Sequence, residues 1–184
     1  SIGGVAGNRT TPVVVPLVAS AGLTIPKTSS RAVTSAAGTA DTMEVFCDVE
    51  FDIAEIRRIV DRTGGCMVWG GAVDLSPVDD KMIRVSTPLS LDPPGQVVAS
   101  VLSKKRAAGS THVVVDLPYG EGAKLPSLPA ARELAEEFRA VGDELDLAIE
   151  CAITRGGEPI GHGVGPVLEA RDVLAVLDGE GGGD

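Results

Sequence analysis

The stretch THVVVDLPYGEGAKLPSLPAARELAEEFRAVGDELDLAIECAIT (residues 111–154) decides the fold. Its first eight residues, Thr111 to Pro118, are a compact apolar run and predict a buried strand. A Gly-rich loop, PYGEGAKLPS (118–127), follows. Ser127 then stands as a helix cap before an amphipathic stretch with Pro129 in its first turn. DLAIECAIT (146–154) predicts a second strand. Strand, helix and strand in that order predict an α/β protein with a mixed, mostly parallel sheet flanked by helices.

The same alternation extends outward. Pro12 to Ala21 is a compact apolar run after a Ser/Gly/Thr loop. Asp52 and Glu55 form a capping-box pattern for the helix IAEIRRIVDRT (53–63), which Gly64 and Gly65 end. CMVWG (66–70) predicts a short buried strand, and Gln96 to Ala108 has helical spacing up to Gly109. GPVLEARDVLAVLDG (165–179) predicts a closing helix. No internal repeat is visible. These elements predict a single α/β domain over residues 1–178 and a flexible Gly-rich tail at 179–184. The chain opens at Ser1 inside a glycine-rich motif, so it reads as a domain cut from a longer protein.

Composition narrows the function classes. A length of 184 residues suits one domain with a buried core. Aromatics make up only 3%, so Val, Leu, Ile and Ala must build that core. No apolar run approaches the roughly 18–20 residues that span a bilayer, which argues against a membrane partner. A net charge of -10 argues against nonspecific nucleic-acid binding, although a local nest of donors can still hold an anionic small ligand. The three cysteines, Cys47, Cys66 and Cys151, are widely spaced with no CxxC pattern. They predict a reduced, cytoplasmic protein with no zinc site; no metal and no cofactor are expected. With Trp69 they read as core residues, because each lies in or beside an apolar segment.

Five segments could carry chemistry. SIGGVAGNRTT (1–11) lets backbone approach a ligand and places Thr10 and Thr11 at a helix N-terminus, which favours an anion. It is neither a Walker A loop nor GxGxxG, and a glycine-rich turn capped by Thr is its plainer reading. SSRAVTSAAGTAD (29–41) is dense in hydroxyls around Arg31. It predicts a loop leading from a strand near Ile25–Thr28 into a helix at Gly38-Thr39, with Asp41 in the first turn. Its hydroxyls and Arg31 could donate to phosphate, or merely satisfy loop backbone. In SLDPPGQVVASVLSKK (90–105), Asp92 before Pro93 is either a turn residue or a general acid. Ser100 and Lys104 are i and i+4, a pair that could clamp a planar polar group or lie on a solvated helix face. Lys124, in the loop after the strand at 111–118, is a phosphate partner or an exposed loop lysine. His162, flanked by glycines, is an acid or base or an exposed loop residue, and His112 reads as structural.

Six blocks in order resemble the thymidine phosphorylase family of glycosyltransferases. They are SIGGVAGNRTT, TIPKTSSRAVTSAAGTADTMEV, GGCMVWGGAVDLSPVDD, PLSLDPPGQVVASVLSKK, THVVVDLPYGEGAK and GVGPVLEARDVL, together covering nearly the whole chain. The resemblance implies the α/β catalytic domain of a nucleoside phosphorylase, a fold class shared with phosphoribosyltransferases. It also implies a helical domain upstream and a further domain downstream, both absent here. The similarity is closest to an archaeal branch that takes nucleoside monophosphates. For that branch it implies AMP plus inorganic phosphate giving adenine and ribose 1,5-bisphosphate, with CMP and UMP as further substrates. A homo-oligomer is the expectation for the full-length protein.

By position, the resemblance places nucleotide contacts on Gly4, Ser30, Arg31, Ala32, Val33, Thr34, Ser35, Thr39, Ser100 and Lys124, and the proton donor on Asp92. Phosphate contacts of the thymidine branch fall on Ser1, Thr11, Ser29 and Thr39, and its base-holding Ser/Lys pair falls on Ser100 and Lys104. Several positions depart from that branch. The first loop is one residue longer, its Gly-Arg is Ser30-Arg31, and its base-contacting Arg matches Arg84 only with a gap and Thr87 without one. Its Lys-His before the first Ser is missing. The first three departures favour the nucleotide-using branch. The alternatives are a thymidine or pyrimidine nucleoside phosphorylase and a non-catalytic phosphate- or nucleotide-binding module.

Overall fold

The structure, a computed structural model, describes residues 2, 9–32, 37–73, 78, 81–82, 85 and 93–180. In chain order its helices and strands are α1 (Thr10–Ser20), β1 (Ile25–Ser29), α2 (Thr39–Glu44), α3 (Ile53–Thr63), β2 (Gly65–Trp69), α4 (Pro94–Ala107), β3 (His112–Tyr119), α5 (Leu128–Glu144), β4 (Ala148–Arg155) and α6 (Pro166–Leu177). The described residues divide between two compact units. The first draws on those within 1–5 and 74–158, the second on those within 6–73 and 159–184.

The first unit contains the β–α–β segment read from residues 111–154. β3 and β4 pair in parallel, from His112 opposite Ala148 to Tyr119 opposite Arg155. A parallel pair needs a crossover, and α5 supplies it. Ser127 caps that helix, its Oγ accepting the Ala130 amide at 3.4 Å. Leu134, Ala135 and Phe138 of α5 meet Val113, Val115 and Leu117 of β3 and Val98 and Leu102 of α4 in one apolar cluster. Phe138 has no exposed surface. Burying a side chain of that size contributes about 1.5–3 kcal/mol. β3 is buried on one face only, since Val114 is 74% exposed. Successive strand residues point to opposite faces, and the helices cover the face that carries Val113, Val115 and Leu117.

The second unit holds a parallel pair of β1 and β2, from Ile25 opposite Gly65 to Ser29 opposite Trp69. α3 leads into β2 with the expected capping box. Asp52 Oδ1 accepts the Glu55 amide at 2.8 Å, and the Asp52 amide donates to Glu55 Oε2 at 3.0 Å. Gly64, at φ 75°, turns the chain out of the helix. Gly65 lies beyond the cap, as the first residue of β2.

α1 packs on both strands. A β-carbon at Gly65 would lie 3.2 Å from Ile25 Cγ2 and 3.3 Å from Val15 Cγ1, which sets α1 on the Ile25 face of the sheet. Residues 21–24 join α1 to β1, so the helix runs back along the strand. At 1.5 Å per helical residue and 3.3 Å per strand residue, each element is about 16 Å long. With Val15 beside Ile25 and Gly65, the N-terminus of α1 points toward the C-terminal end of β1.

Candidate functional site

The C-terminal end of β1 and the helix N-termini of the second unit carry hydroxyls. Thr11 is the second residue of α1 and half-buried, in the first turn where helix amides lack partners. Ser29 is the last residue of β1. Ile25, Lys27 and Ser29 alternate onto one face of β1, the face that α1 covers. Thr39 is the first residue of α2, half-buried, with Gly38 as its N-cap. The expected strand before the 29–41 segment and the expected helix after it are both present.

The ends of the loop between Ser29 and Thr39 are tied together. Asp41 Oδ2 accepts the Ala32 amide at 2.7 Å and the Gly38 amide at 2.8 Å. The Ala40 amide donates to the Ser30 carbonyl at 3.2 Å. Gly38 has no side chain, so Asp41 provides only the carboxylate half of a capping box. The approach is close enough to exclude a side chain at Gly38, because a β-carbon there would lie 2.4 Å from Arg31 C and from Ser30 O. Burial pushes the Asp41 carboxyl up, but the Gly38 and Ala32 amides and Arg31 outweigh it and hold it below its ordinary value.

Arg31 sits among carboxylates. Its Nη1 donates to Glu44 Oε2 at 2.6 Å and Asp41 Oδ1 at 3.2 Å, and its Nη2 donates to Glu44 Oε1 and Glu50 Oε1, both at 2.9 Å. The guanidinium also lies over the Trp69 ring, 4.9 Å from its centroid. Glu44 first, then Glu50, holds its pKa above the ordinary value. Trp69 is thus half-buried beneath a cation and is not a pure core residue. Cys47 departs further from the core reading: it is exposed, in the turn after the short α2, whereas Cys66 is buried and Cys151 half-buried.

Elsewhere in this unit, Arg9 and Asp172 form a junction. Arg9 Nε donates to Asp172 Oδ2 at 2.8 Å, and the same oxygen accepts the His162 and Gly163 amides at 2.9 and 3.0 Å. His162 is exposed and is held through its backbone. The Gly163 amide, against opposing burial and together with Arg9, lowers the Asp172 carboxyl to about 2.

In the first unit, Ser100 and Lys104 lie within α4 and are half-buried, so their i, i+4 spacing places them on one helix face. Lys124 is exposed in the loop after β3, one residue before the Leu125 bridge to Tyr119. His112 is exposed at the start of β3, its Nδ1 3.0 Å from Thr111 Oγ1. Ser1, Gly4, Val33, Thr34, Ser35 and Asp92 lie outside the described residues, as do Arg84 and Thr87.

Sequence reading missed Lys27, Glu44, Glu50, Arg9 and Asp172. Lys27 carried one usable signal, its i, i+2 spacing from Ser29 on a strand, which puts both on one face. The others pair across 13, 19 and 163 positions, with no local pattern to announce them. No described helix is long and apolar enough to cross a membrane.

Residues 1–163 match the family described as "Glycosyl transferase family, a/b domain". The chain is 78% identical over 181 residues to the AMP phosphorylase of Natronomonas pharaonis, covering 98% of this chain and 36% of that protein. It is 56% identical over 184 residues to the AMP phosphorylase of Thermococcus kodakarensis, covering all of this chain and 37% of that protein. It is also 63% identical over 179 residues to a protein of Acidovorax sp. that carries a provisional thymidine phosphorylase name, covering 97% and 35%. The chain thus spans about a third of the length of the curated relatives it matches.

Proposed function

This chain belongs to the glycosyl transferase family with the a/b domain, and on that premise we propose that its full-length protein phosphorolyses nucleoside 5′-monophosphates. The substrates are AMP, and also CMP and UMP, with inorganic phosphate as co-substrate. The products are the free base and ribose 1,5-bisphosphate. The observation that carries the reading is the 78% identity to an AMP phosphorylase across 98% of the chain. The tied hydroxyl loop at residues 29–41 supports it, since preorganised donors are what two phosphate groups need.

In this reading Ser1, Thr11, Ser29 and Thr39 donate to phosphate. Residues Ser30 to Ser35, with Gly4 and Lys124, hold the nucleotide, and Ser100 and Lys104 hold the base. A phosphate oxygen forms a bond to C1′ of the ribosyl group as the glycosidic C–N bond breaks. The electron pair leaves with the base, and Asp92 protonates the departing nitrogen. Positive charge developing on the sugar is met by the phosphate anion, which the hydroxyl donors hold in place.

The test is phosphorolysis by the full-length protein, reading free base released from AMP, CMP, UMP and thymidine. Release from AMP is expected, and activity on thymidine alone overturns the assignment. Asp92→Asn should lower turnover by roughly a hundredfold or more. Unchanged turnover would remove Asp92 as the acid. The isolated 184-residue chain should give no measurable turnover. A second reading, a thymidine or pyrimidine nucleoside phosphorylase, is favoured by the 63% identity to the Acidovorax protein and is decided by the same substrate panel.

A further inference from the structure

In the first unit, β3 carries a carboxylate, Asp116, in the interior of the strand, where Asp is disfavoured. Val114, Asp116 and Pro118 alternate onto the face opposite the core positions Val113, Val115 and Leu117. Thr154 of β4 stands on the same face, and its Oγ1 donates to Asp116 Oδ1 at 2.7 Å. Asp116 is half-buried, and among the described residues its Oδ2 has no partner and no cation pairs with it. The Ile2 amide donates to the Asp116 carbonyl at 2.9 Å and the Ile2 side chain joins the core cluster, so the motif SIGGVAGNRTT begins against β3 at this residue. Gly156, two positions after Thr154, leaves that end of the face without a side chain: a β-carbon there would lie 2.4 Å from Pro118 Cβ. The loop that carries Lys124 leaves β3 at the same end, and the C-terminal ends of parallel strands are where open α/β sheets take their ligands.

We propose that Asp116 accepts a hydrogen bond from a ribosyl hydroxyl of the nucleotide, and that Thr154 is a positioning residue that holds the carboxylate in place for it. The inference rests on the reading that the full-length protein phosphorolyses nucleoside monophosphates. A carboxylate only accepts, and it repels phosphate, so its partner on the substrate must be a neutral donor. The vicinal 2′- and 3′-hydroxyls of the ribosyl group are the donors that AMP, CMP and UMP present alike. With Thr154 on Oδ1, Oδ2 is left for one of them. The negative charge also suits the positive charge that develops on the sugar as the glycosidic bond breaks.

The experiment is steady-state phosphorolysis of AMP, 2′-deoxy-AMP and 3′-deoxy-AMP by the full-length protein at saturating phosphate, for wild type, Asp116→Asn, Asp116→Ala, Thr154→Val and Thr154→Ser. An analogue that turns over too slowly is read by its inhibition constant against AMP. Wild type should favour AMP over one of the two analogues by about tenfold or more in kcat/KM. Asp116→Asn should lower kcat/KM for AMP by about tenfold or more and leave that same analogue within about threefold of wild type, since the analogue lacks the hydroxyl that the carboxylate holds. Asp116→Ala should behave likewise, which covers a failure of the Asn variant to fold. Thr154→Val should show the same selective loss by about threefold or more, and Thr154→Ser, which keeps the hydroxyl, should stay within about twofold of wild type. Equal losses on all three substrates, or no loss on AMP in either Asp116 variant, overturn the inference while AMP phosphorolysis itself stands. A selective loss confined to the Asp116 variants overturns the role of Thr154. Wild type that releases no base from AMP removes the underlying reading and the inference with it.

Discussion

Replacing Asp41 with Ala should release the loop that runs from Ser29 to Thr39. The carboxylate accepts the Ala32 amide at 2.7 Å and the Gly38 amide at 2.8 Å, and it also takes Arg31 Nη1 at 3.2 Å. A hydrogen bond to a charged group contributes about 1.5–3 kcal/mol. The carboxylate is partly exposed and Ala32 is exposed, so each amide bond belongs at or below the low end of that range. Together the two bonds should hold the loop by about 2–3 kcal/mol. That corresponds to roughly 30- to 150-fold faster hydrogen exchange at the amides of Ala32 and Gly38. The assay is exchange at single-residue resolution in the full-length protein, wild type against Asp41→Ala and Asp41→Asn. Since the Asp41 pKa lies below its ordinary value in the folded state, its contribution is complete above about pH 4. It is lost as pH falls through the folded pKa, so the difference between wild type and Asp41→Asn should shrink on acidification. Unchanged exchange at both amides in Asp41→Ala would refute the tie.

Gly38→Ala should distort the same loop, because its β-carbon would meet backbone atoms of Ser30 and Arg31 at 2.4 Å, and backbone cannot rotate aside as a side chain can. The measurement is the KM for AMP in the full-length protein, expected to rise by about tenfold or more. Phe138→Ala in the first unit should cost about 3–5 kcal/mol, read as a lower urea midpoint, because Phe138 is fully buried among Leu102, Leu117 and Leu134. Asp172→Asn should weaken the junction with Arg9, Gly163 and His162 at neutral pH. The folded pKa of Asp172 is about 2, so the stability difference between wild type and variant should narrow between about pH 4 and pH 2 and be unchanged above that window.

Much of the architecture was legible because its signals are local. The capping pair Asp52 and Glu55, the Ser127 cap and the Gly64 stop each act within one helical turn, and each is found where the sequence places it. The parallel pairing of β3 and β4 follows from two apolar runs separated by a helix. The hydroxyl loop was legible as a loop between strand and helix. Its fastening was only half visible: Asp41 could be placed in the first turn of α2, where a carboxylate suits the helix dipole. That its Oδ2 would also accept the amide of Ala32, nine positions away, depends on how the chain folds back.

Sequence alone determined the order of the strands and helices, their caps, and the gathering of hydroxyl and glycine residues into loops at strand and helix ends. Those features come from backbone geometry and side-chain periodicity over a few residues. Tertiary structure alone decided partners. Arg31 read as a cation available to phosphate; the fold surrounds it with Glu44, Glu50 and Asp41 and lays it over Trp69. Lys27 drew no attention in sequence; the strand turns it onto the face of Ser29. Arg9 and Asp172 stand 163 positions apart and share one hydrogen-bonded junction. A charged side chain pairs with whatever the packing of helices on sheets brings within about 3 Å of it, and no short pattern in the chain specifies which segments will meet.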